Sequence, residues 1–242
     1  MLKLEGITKS YKQDLILDGI SFNLEKGKVL GVMGPNGAGK TTLLKIISLI
    51  LSPDAGEVHI NGIDALRKPK LLRPLLAYVP QDMALFEELS VIDNLYYWSE
   101  GSFKSQEAHF MQLLDETGLS QVREKRVNTL SGGMKRRSNL AVALINKPEL
   151  LIMDEPLVGM DIAQIQSMHH FLSSLAEQGM SQIISSHNAH HLLNIADELL
   201  ILNHGKVRFQ GTKESFLNLC NNDFAKVDQT ILDVIDITEV TL

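Results

Sequence analysis

The positions of hydrophobic and polar residues along the chain predict a series of β-strands. Residues 1–7 and 16–24 alternate between apolar and polar side chains, as half-buried strands do. Residues 28–33 form a compact apolar run that is typical of a buried parallel strand. Further strands are expected at residues 56–60 with Ile63, 150–153, 182–186, 199–202 and 206–210. Asn61 and Gly62 predict a tight hairpin turn before Ile63.

Apolar residues at helical spacing separate several of these strands. We expect helices at residues 41–51, 94–98, 106–117 and 162–178. Alternation of strands and helices indicates a mostly parallel sheet with helical crossovers, which is an α/β fold. Between residue 81 and about residue 146 only helical patterns are present, so this block is interpreted as an insertion into the α/β core.

The composition excludes several classes of protein. A chain of 242 residues, 44% hydrophobic and 21% charged, can bury a full core, so it is not disordered, collagenous or a coiled coil as a whole. Its only cysteine, Cys220, rules out an intramolecular disulfide and fits a reducing compartment. No apolar run approaches the ~20 residues of a membrane span, and the N-terminus has no signal-sequence pattern. We therefore expect a soluble, cytoplasmic protein.

The net charge of −6 is unevenly distributed. Residues 1–75 contain 11 Lys and Arg against 7 Asp and Glu, whereas residues 76–242 contain 12 against 22. The positive first third suits an anionic ligand, although an ordinary solvated surface gives the same balance. Aromatic residues make up only 5% of the chain, which leaves few rings for stacking on bases, and we expect no nucleic-acid partner.

A glycine-rich motif follows the third predicted strand. It matches G-x-x-x-x-G-K-[ST] and consists of Gly34, Pro35, Asn36, Gly37, Ala38, Gly39, Lys40 and Thr41, with Thr42 next in the helix. Glycines let backbone N–H groups turn toward an anion, and the N-terminus of the following helix attracts the same anion. Lys40 supplies a charge for the β and γ phosphates, and the Thr41 hydroxyl can bind Mg²⁺. The motif predicts a nucleotide site; the alternative is a glycine-rich turn that binds nothing.

Two carboxylates end the strand predicted at residues 150–153. Desolvated charge is costly, so Asp154 and Glu155 are expected at the exposed carboxyl end of this strand, where ligands of α/β proteins bind. We expect Asp154 to hold Mg²⁺ through water. Glu155 is expected to orient and polarise the water that attacks the γ-phosphate. The alternative is a surface strand that ends in two solvated acids.

The segment Leu130, Ser131, Gly132, Gly133 and Met134 resembles the LSGGQ signature of the ATP-binding-cassette family. The resemblance extends over residues 2–219. It implies a P-loop NTPase core with a mostly parallel sheet, an N-terminal antiparallel β subdomain and an inserted α-helical subdomain. In one ABC domain spanning residues 1–242, the core would be residues 1–81 and 147–219 and the helical subdomain residues 82–146. An acidic tail, residues 220–242, would follow.

Other positions match residues with known roles in that family. The resemblance implies that Tyr11 stacks on adenine, that Gln81 touches Mg²⁺ and senses the membrane partner, and that His187 contacts the γ-phosphate. Asp161 matches the aspartate of the family's D-loop. The implied catalytic residues are Lys40, Glu155 and His187, and the implied metal ligands are Thr41, Gln81 and Asp154. The implied ATP-binding residues further include Ser131, Gly132, Gly133 and Asp161.

In this family the signature binds the ATP that a second copy holds. The resemblance therefore implies a head-to-tail homodimer, or a dimer with a homologous ATPase subunit, around two ATP molecules. Met134 stands in place of the usual glutamine, and Leu157 and Val158 stand in place of small polar residues. Neither change removes Lys40 or Glu155, so we expect hydrolysis to survive, at a reduced rate at most.

The resemblance favours the ATPase subunit of a transporter whose permease subunits are separate chains, most similar to export systems. Such a subunit lies on the cytoplasmic face of the membrane through its permease, which would dock along residues 82–98. Tyr96, Tyr97 and Trp98 in this segment fit either internal packing or a partner surface. Two alternatives stay open: a soluble ATPase without a permease, such as an iron–sulfur assembly factor, and a nucleotide-sensing module with little turnover.

Five histidines and a basic run have simpler interpretations than a ligand site. His187, His190 and His191 are spaced like metal ligands, but His187 is expected to end a strand. We expect His190, His191, His169 and His170 to face solvent. The run from Lys135 to Arg137 is interpreted as a solvated helix face near the nucleotide rather than a nucleic-acid patch.

Overall fold

The N-terminal region forms an antiparallel sheet. The computed structural model describes residues 1–99 and 103–236. Strands β1 (Leu2–Tyr11), β2 (Asp14–Leu24), β4 (Ala55–Ile60) and β5 (Ile63–Asp64) pair in the order β2-β1-β4-β5. Each pairing is antiparallel, and the hairpin between β4 and β5 turns at Asn61, which has φ 50°. The predicted N-terminal antiparallel sheet is confirmed.

A second sheet, with six strands, is mostly parallel. Its strands are β3 (Val29–Met33), β6 (Leu76–Val79), β7 (Leu150–Asp154), β8 (Ser181–Ser185), β9 (Glu198–Asn203) and β10 (Lys206–Thr212), in the order β10-β9-β3-β8-β7-β6. Only β10 runs antiparallel, against its neighbour β9. The predicted α/β fold with a mostly parallel sheet is confirmed.

Helices cover the six-stranded sheet and fill the middle of the chain. They are α1 (Lys40–Ile47), α2 (Pro69–Leu72), α3 (Val91–Trp98), α4 (Phe103–Glu116), α5 (Gly132–Leu144), α6 (Ile162–Glu177), α7 (Ala189–Ile195), α8 (Lys213–Leu219) and α9 (Val227–Asp236). Helices α3, α4 and α5 lie between β6 and β7 in sequence and contact one another. None of the helices in the described part of the chain has the length and apolarity required to cross a bilayer.

Both faces of the six-stranded sheet are buried. On one face, Val32, Ile152 and Ile183 pack with α1 and the antiparallel sheet. On the other, Met33, Met153 and Ile184 pack with helices α3 to α9. Alternate residues of the same strands therefore belong to two separate cores, which explains why these strands read as continuous apolar runs.

Several predicted elements have different ends in the structure, and for two helices the cause is visible. The helix expected at residues 41–51 ends at Ile47, because the backbone turns at Leu49, whose φ is 57°. The helix expected at residues 94–98 starts earlier, at Val91, because the Ser90 side chain accepts a hydrogen bond from the Asp93 N–H and caps it. Helix α9 lies within the acidic tail, and its Val227 is fully buried.

The site is placed by the shared direction of three neighbouring strands. β3, β8 and β7 are parallel, with Val32 and Asp154 both opposite Ser185 in the register. Their carboxyl ends therefore meet at one edge of the sheet. The loop that follows β3, the two acids that end β7 and the residues that follow β8 come together there.

Candidate nucleotide-binding site

The loop between β3 and α1 depends on glycine at two points. Gly34 has φ 150° and Gly39 has φ 102°. A Cβ on Gly34 would overlap the carbonyl oxygen of Leu202, and a Cβ on Gly39 would lie 2.9 Å from the carbonyl oxygen of Ile16. The loop can therefore pass close to β9 and β2 only because these positions carry no side chain.

Lys40 begins α1 and is only 8% exposed. Its Nζ donates hydrogen bonds to the carbonyl oxygens of Gly34, at 2.7 Å, and Pro35, at 3.1 Å. Burial lowers the pKa of Lys40, while the charges of Glu155 and Asp154 act in the opposite direction. The ammonium group thus lies inside the loop and within electrostatic reach of both carboxylates.

Asp154 is almost completely buried and is held by two hydroxyl groups. The Thr41 hydroxyl donates to Oδ2 at 2.7 Å, and the Ser185 hydroxyl donates to Oδ1 at 2.6 Å. Tyr78 also lies near this carboxylate: burial raises the pKa of its phenol, and Asp154 raises it further. Charge-assisted hydrogen bonds of this kind compensate the cost of burying a carboxylate.

Glu155 is held in an unusual backbone conformation next to His187. Its φ is 51°, a region in which non-glycine residues are uncommon, and its N–H donates to the Ser185 Oγ at 3.0 Å. The Oε2 atom of Glu155 lies 3.0 Å from Nδ1 of His187. His187 was expected to end a strand, but β8 ends at Ser185, so His187 lies in the connection before α7. Its imidazole is exposed and lines the cleft.

A cleft of about 610 Å³ joins these groups. It is lined by Tyr11, Ile16, Asn36, Gly37, Ala38, Gly39, Lys40, Thr41, Thr42, Gln81, Asp154, Glu155, Val158 and His187. The structure therefore brings together most of the predicted site residues, from both sheets and from the Gln81 loop. The lining does not include Gly34, Pro35, Asp161 or any of residues 131–133.

The oxygen atoms of this cleft fit a magnesium ion. Mg²⁺ prefers hard oxygen ligands and binds proteins through few side chains, together with phosphate oxygens. The Thr41 hydroxyl and the Asp154 carboxylate are in direct contact, and Gln81 lines the same cleft. These three are the residues that would hold the ion, where it would offset the charge of nucleotide phosphates.

The signature segment lies at the start of α5 and packs on the start of α6. Ser131 is the N-cap of α5 and accepts a hydrogen bond from the Met134 N–H at 3.3 Å. A Cβ on Gly133 would overlap the side chain of Gln164, whereas Gly132 has open space around it. Asp161 and Gln164 form a capping box at the start of α6, so Asp161 is the N-cap of this helix.

Sequence reasoning missed four residues that support the site. Ser185 donates a hydrogen bond to Asp154, and Tyr78 lies near the same carboxylate. Gln164 fills the space at Gly133. Arg136 contacts the backbone of Gln81 and Val158. The prediction of a strand at residues 182–186 could have indicated Ser185. This residue lies near the carboxyl end of that strand, at the edge of the sheet where Asp154 was expected. The pattern of the chain gave no such signal for the other three.

The fold and the cleft together define a P-loop nucleotide-binding protein. The family model described as "ABC transporter" matches residues 17–158. The linearmycin resistance ATP-binding protein LnrL of Bacillus subtilis (strain 168) is 37% identical over 92% of this chain and 73% of its own length. The lantibiotic transport ATP-binding protein SrtF of Streptococcus pyogenes is 33% identical over 90% of this chain and 94% of its own.

A solved structure has the same fold. It is the dimeric, post-hydrolysis state of an ATP-binding cassette bound to ADP and Pi, with a TM-score of 0.81 and 26% identity over 88% of this chain and 99% of that one. The chain belongs to the ABC transporter family. It is an ATP-binding subunit of this family with ATPase activity.

Proposed function

We propose that two copies of this chain, or this chain and a homologous subunit, close head to tail around two Mg-ATP and drive separate membrane subunits. One observation carries the dimer: the signature residues do not line the nucleotide cleft of their own chain. Ser131 and Gly132 are exposed, and the space beside Gly132 is open. The first N–H groups of the 13-residue helix α5 thus remain available to an anion held by a second copy.

The proposed roles follow the geometry of the cleft. Lys40 and the loop N–H groups bind phosphate, Tyr11 stacks on the adenine, and Glu155 accepts a proton from the attacking water. His187, in contact with Glu155, contacts the γ-phosphate and reports its presence. Exposure supports the role of Tyr11, since its ring is 47% exposed at the end of β1 beside the cleft.

A complementation experiment tests whether each site is shared between two chains. Lys40→Ala removes the phosphate-binding cation, and Gly132→Arg places a bulky cation where a Cβ meets no atom of its own chain. Each variant alone is expected to be inactive. In an equal mixture, half of the dimers are mixed, and each mixed dimer has one intact site out of two. The mixture should recover roughly a quarter of the wild-type phosphate release.

A mixture as inactive as either variant would contradict the shared site. The matched control is the double variant Lys40→Ala with Gly132→Arg, mixed with wild type. Its mixed dimers contain no site with both an intact loop and an intact signature. This control should therefore recover about a quarter of the wild-type rate, all of it from wild-type homodimers, whereas recovery of about a half would show that the signature acts within its own chain.

A groove between the six-stranded sheet and the inserted helices suits a membrane partner. It has a volume of about 970 Å³, and its lining includes Trp98, Ala84, Tyr78 and Val142, with Arg73 at its rim. Tyr96 packs on Phe110 inside the helical region, with ring centroids 5.4 Å apart, but Tyr97 and Trp98 are exposed and contact Phe86. This outer aromatic cluster supports the permease-docking interpretation of residues 82–98.

We further propose that the direction of transport is export, because resistance and lantibiotic transport name the functions of the two relatives above.

Residues 82–146 would form the helical subdomain between core segments 1–81 and 147–219, and the protein would lie on the cytoplasmic face of the membrane. The test is purification from membranes: a multi-span subunit should co-purify, and less of it with Trp98→Ala. If no multi-span subunit co-purifies with the chain, the alternative of a soluble ATPase without a permease is favoured instead.

A further inference from the structure

Arg136 joins three segments of the site without lining the cleft itself. It lies on α5, five residues after Ser131. Its Nε donates to the carbonyl oxygen of Val158 at 2.5 Å, and its Nη1 donates to the carbonyl oxygen of Gln81 at 3.3 Å. Both acceptor residues line the nucleotide cleft. One guanidinium group therefore fastens two walls of the cleft, from outside it, to the helix that begins with the signature.

The electrostatic surroundings suit a permanent positive charge at this point. Arg136 is half-buried, and its burial lowers the pKa of the guanidinium, while Glu155 and Asp82 act in the opposite direction. The charge is thus retained in a partly desolvated position next to the predicted catalytic carboxylate. A guanidinium group is suited to this place because it stays ionised and presents several N–H donors in a fixed plane.

The contact to Val158 bears directly on the backbone of Glu155. The N–H of Val158 donates to the carbonyl oxygen of Glu155 at 3.4 Å and closes a turn, and Arg136 holds the last residue of that turn through its carbonyl oxygen. Ser185 fixes the turn at its first residue, through the N–H of Glu155. Arg136 fixes it at its last residue. The φ of 51° at Glu155 is thus maintained from both ends of the turn.

We propose that Arg136 is a positioning residue for hydrolysis: it couples the signature helix to Gln81 and to the turn that aims Glu155. The inference rests on the proposed roles of Glu155 and Gln81. Its basis is the two-carbonyl contact, which the guanidinium makes through two different nitrogen atoms held in one plane. A lysine at the same position keeps the charge but presents its donors on a single rotating nitrogen, so it does not hold the two carbonyl groups in a fixed relative position.

The test compares Arg136→Lys and Arg136→Gln with a control at the neighbouring position of α5, Lys135→Gln. The control removes the ion pair between Lys135 and Glu87, which are 2.9 Å apart. Misplacement of a reacting group by a fraction of an ångström is costly, so we expect kcat to fall about tenfold in both Arg136 variants. KM for ATP should change less than about twofold, because the phosphate-binding loop is intact. The control should keep both values.

Hydrogen exchange supplies a readout that does not depend on turnover. In the nucleotide-free protein, amides of residues 158–160 should exchange faster in both Arg136 variants than in wild type and in Lys135→Gln. Recovery of wild-type kcat by Arg136→Lys would overturn the proposal, since charge alone would then suffice. Unchanged exchange at residues 158–160 would also overturn it, even with a low kcat. Should Arg136→Gln not fold, Arg136→Lys, which retains the long cationic side chain, decides alone.

Failure of the proposed function would look different. If Glu155→Gln hydrolysed ATP at the wild-type rate, the proposed base would be wrong, whereas the exchange result at residues 158–160 would still report on the contact made by Arg136.

Discussion

Strand β8 has a buried serine at each end, and the two serines do different things. Ser181, at the amino end, accepts a hydrogen bond from the Gly27 N–H at 3.0 Å and so joins the strand to a turn. Ser185, at the carboxyl end, donates to Asp154 and accepts from the N–H of Glu155. The residue type, the strand and the burial are the same, so the difference comes from the neighbours alone.

That difference explains why the predicted functional side chains lie at one edge of the sheet. At the amino edge, the charged side chains remain largely exposed, as in the ion pair of Lys28 and Asp197 at 3.3 Å, and the buried Ser181 binds only a backbone N–H. At the carboxyl edge, parallel strands end beside loops whose side chains include two carboxylates and a lysine. Charged groups can be concentrated there because each has a partner that compensates its burial. The following predictions separate the chemistry of this edge from its contribution to stability.

The largest effect is expected for Glu155→Gln. An amide keeps the size of the side chain but cannot accept a proton, so phosphate release should fall by about 10²–10³-fold, the range of a lost general base. Nucleotide affinity should be retained, and ATP-bound dimer should accumulate on gel filtration. A variant that hydrolyses ATP normally would remove Glu155 from the chemistry of this edge.

A second prediction opposes the two serines directly. Ser185→Ala leaves one Asp154 oxygen and the Glu155 N–H without their partner, and Ser181→Ala does the same to the Gly27 N–H. Each should lower the free energy of unfolding by about 1–3 kcal/mol, measured by urea denaturation. Only Ser185→Ala should also lower kcat, by roughly tenfold, because it releases the backbone of Glu155.

An equal loss of activity in both serine variants would contradict the distinction drawn between Ser181 and Ser185. Burial in β8, rather than position at the carboxyl edge, would then control the rate. Loss of stability in both variants, with loss of activity in Ser185→Ala alone, is the pattern that the structure requires.

The carboxyl edge was largely predictable from the sequence. The order of strands places Asp154 and the phosphate loop at one edge, because carboxyl ends of parallel strands coincide. Residues that act through backbone contacts were not predictable. Arg136 reaches carbonyl oxygens of Gln81 and Val158, which any residue would supply, so no side-chain pattern marks its targets.

Short or irregular elements were missed for related reasons. Strand β6 has four residues between Pro74 and Pro80, too few for a period to show. Helix α1 was predicted too long because apolar residues continue to Leu51, where they pack without helical backbone. His169 and His191 were expected to face solvent, and this was wrong: both are half-buried, and their rings lie against each other with centroids 6.0 Å apart. His170 and His190 are exposed, as expected.

The smallest predicted effect concerns this histidine contact, which lies on α6 and α7 behind the carboxyl edge. Burial lowers the pKa of His169 and of His191, and each is lowered further by neighbouring histidines. The unfolded chain therefore takes up protons at these two histidines first as pH falls below about 6.5, so the contribution of this contact to stability is fully present above that value and is lost on acidification. The melting temperature should decrease between pH 7.5 and pH 5.5. His169→Gln should reduce that decrease, whereas His170→Gln, at the exposed neighbouring position, should not.

An unchanged slope of melting temperature against pH in His169→Gln would assign the acid sensitivity to groups outside this contact. A change in the pH dependence of kcat alone would assign it to the cleft.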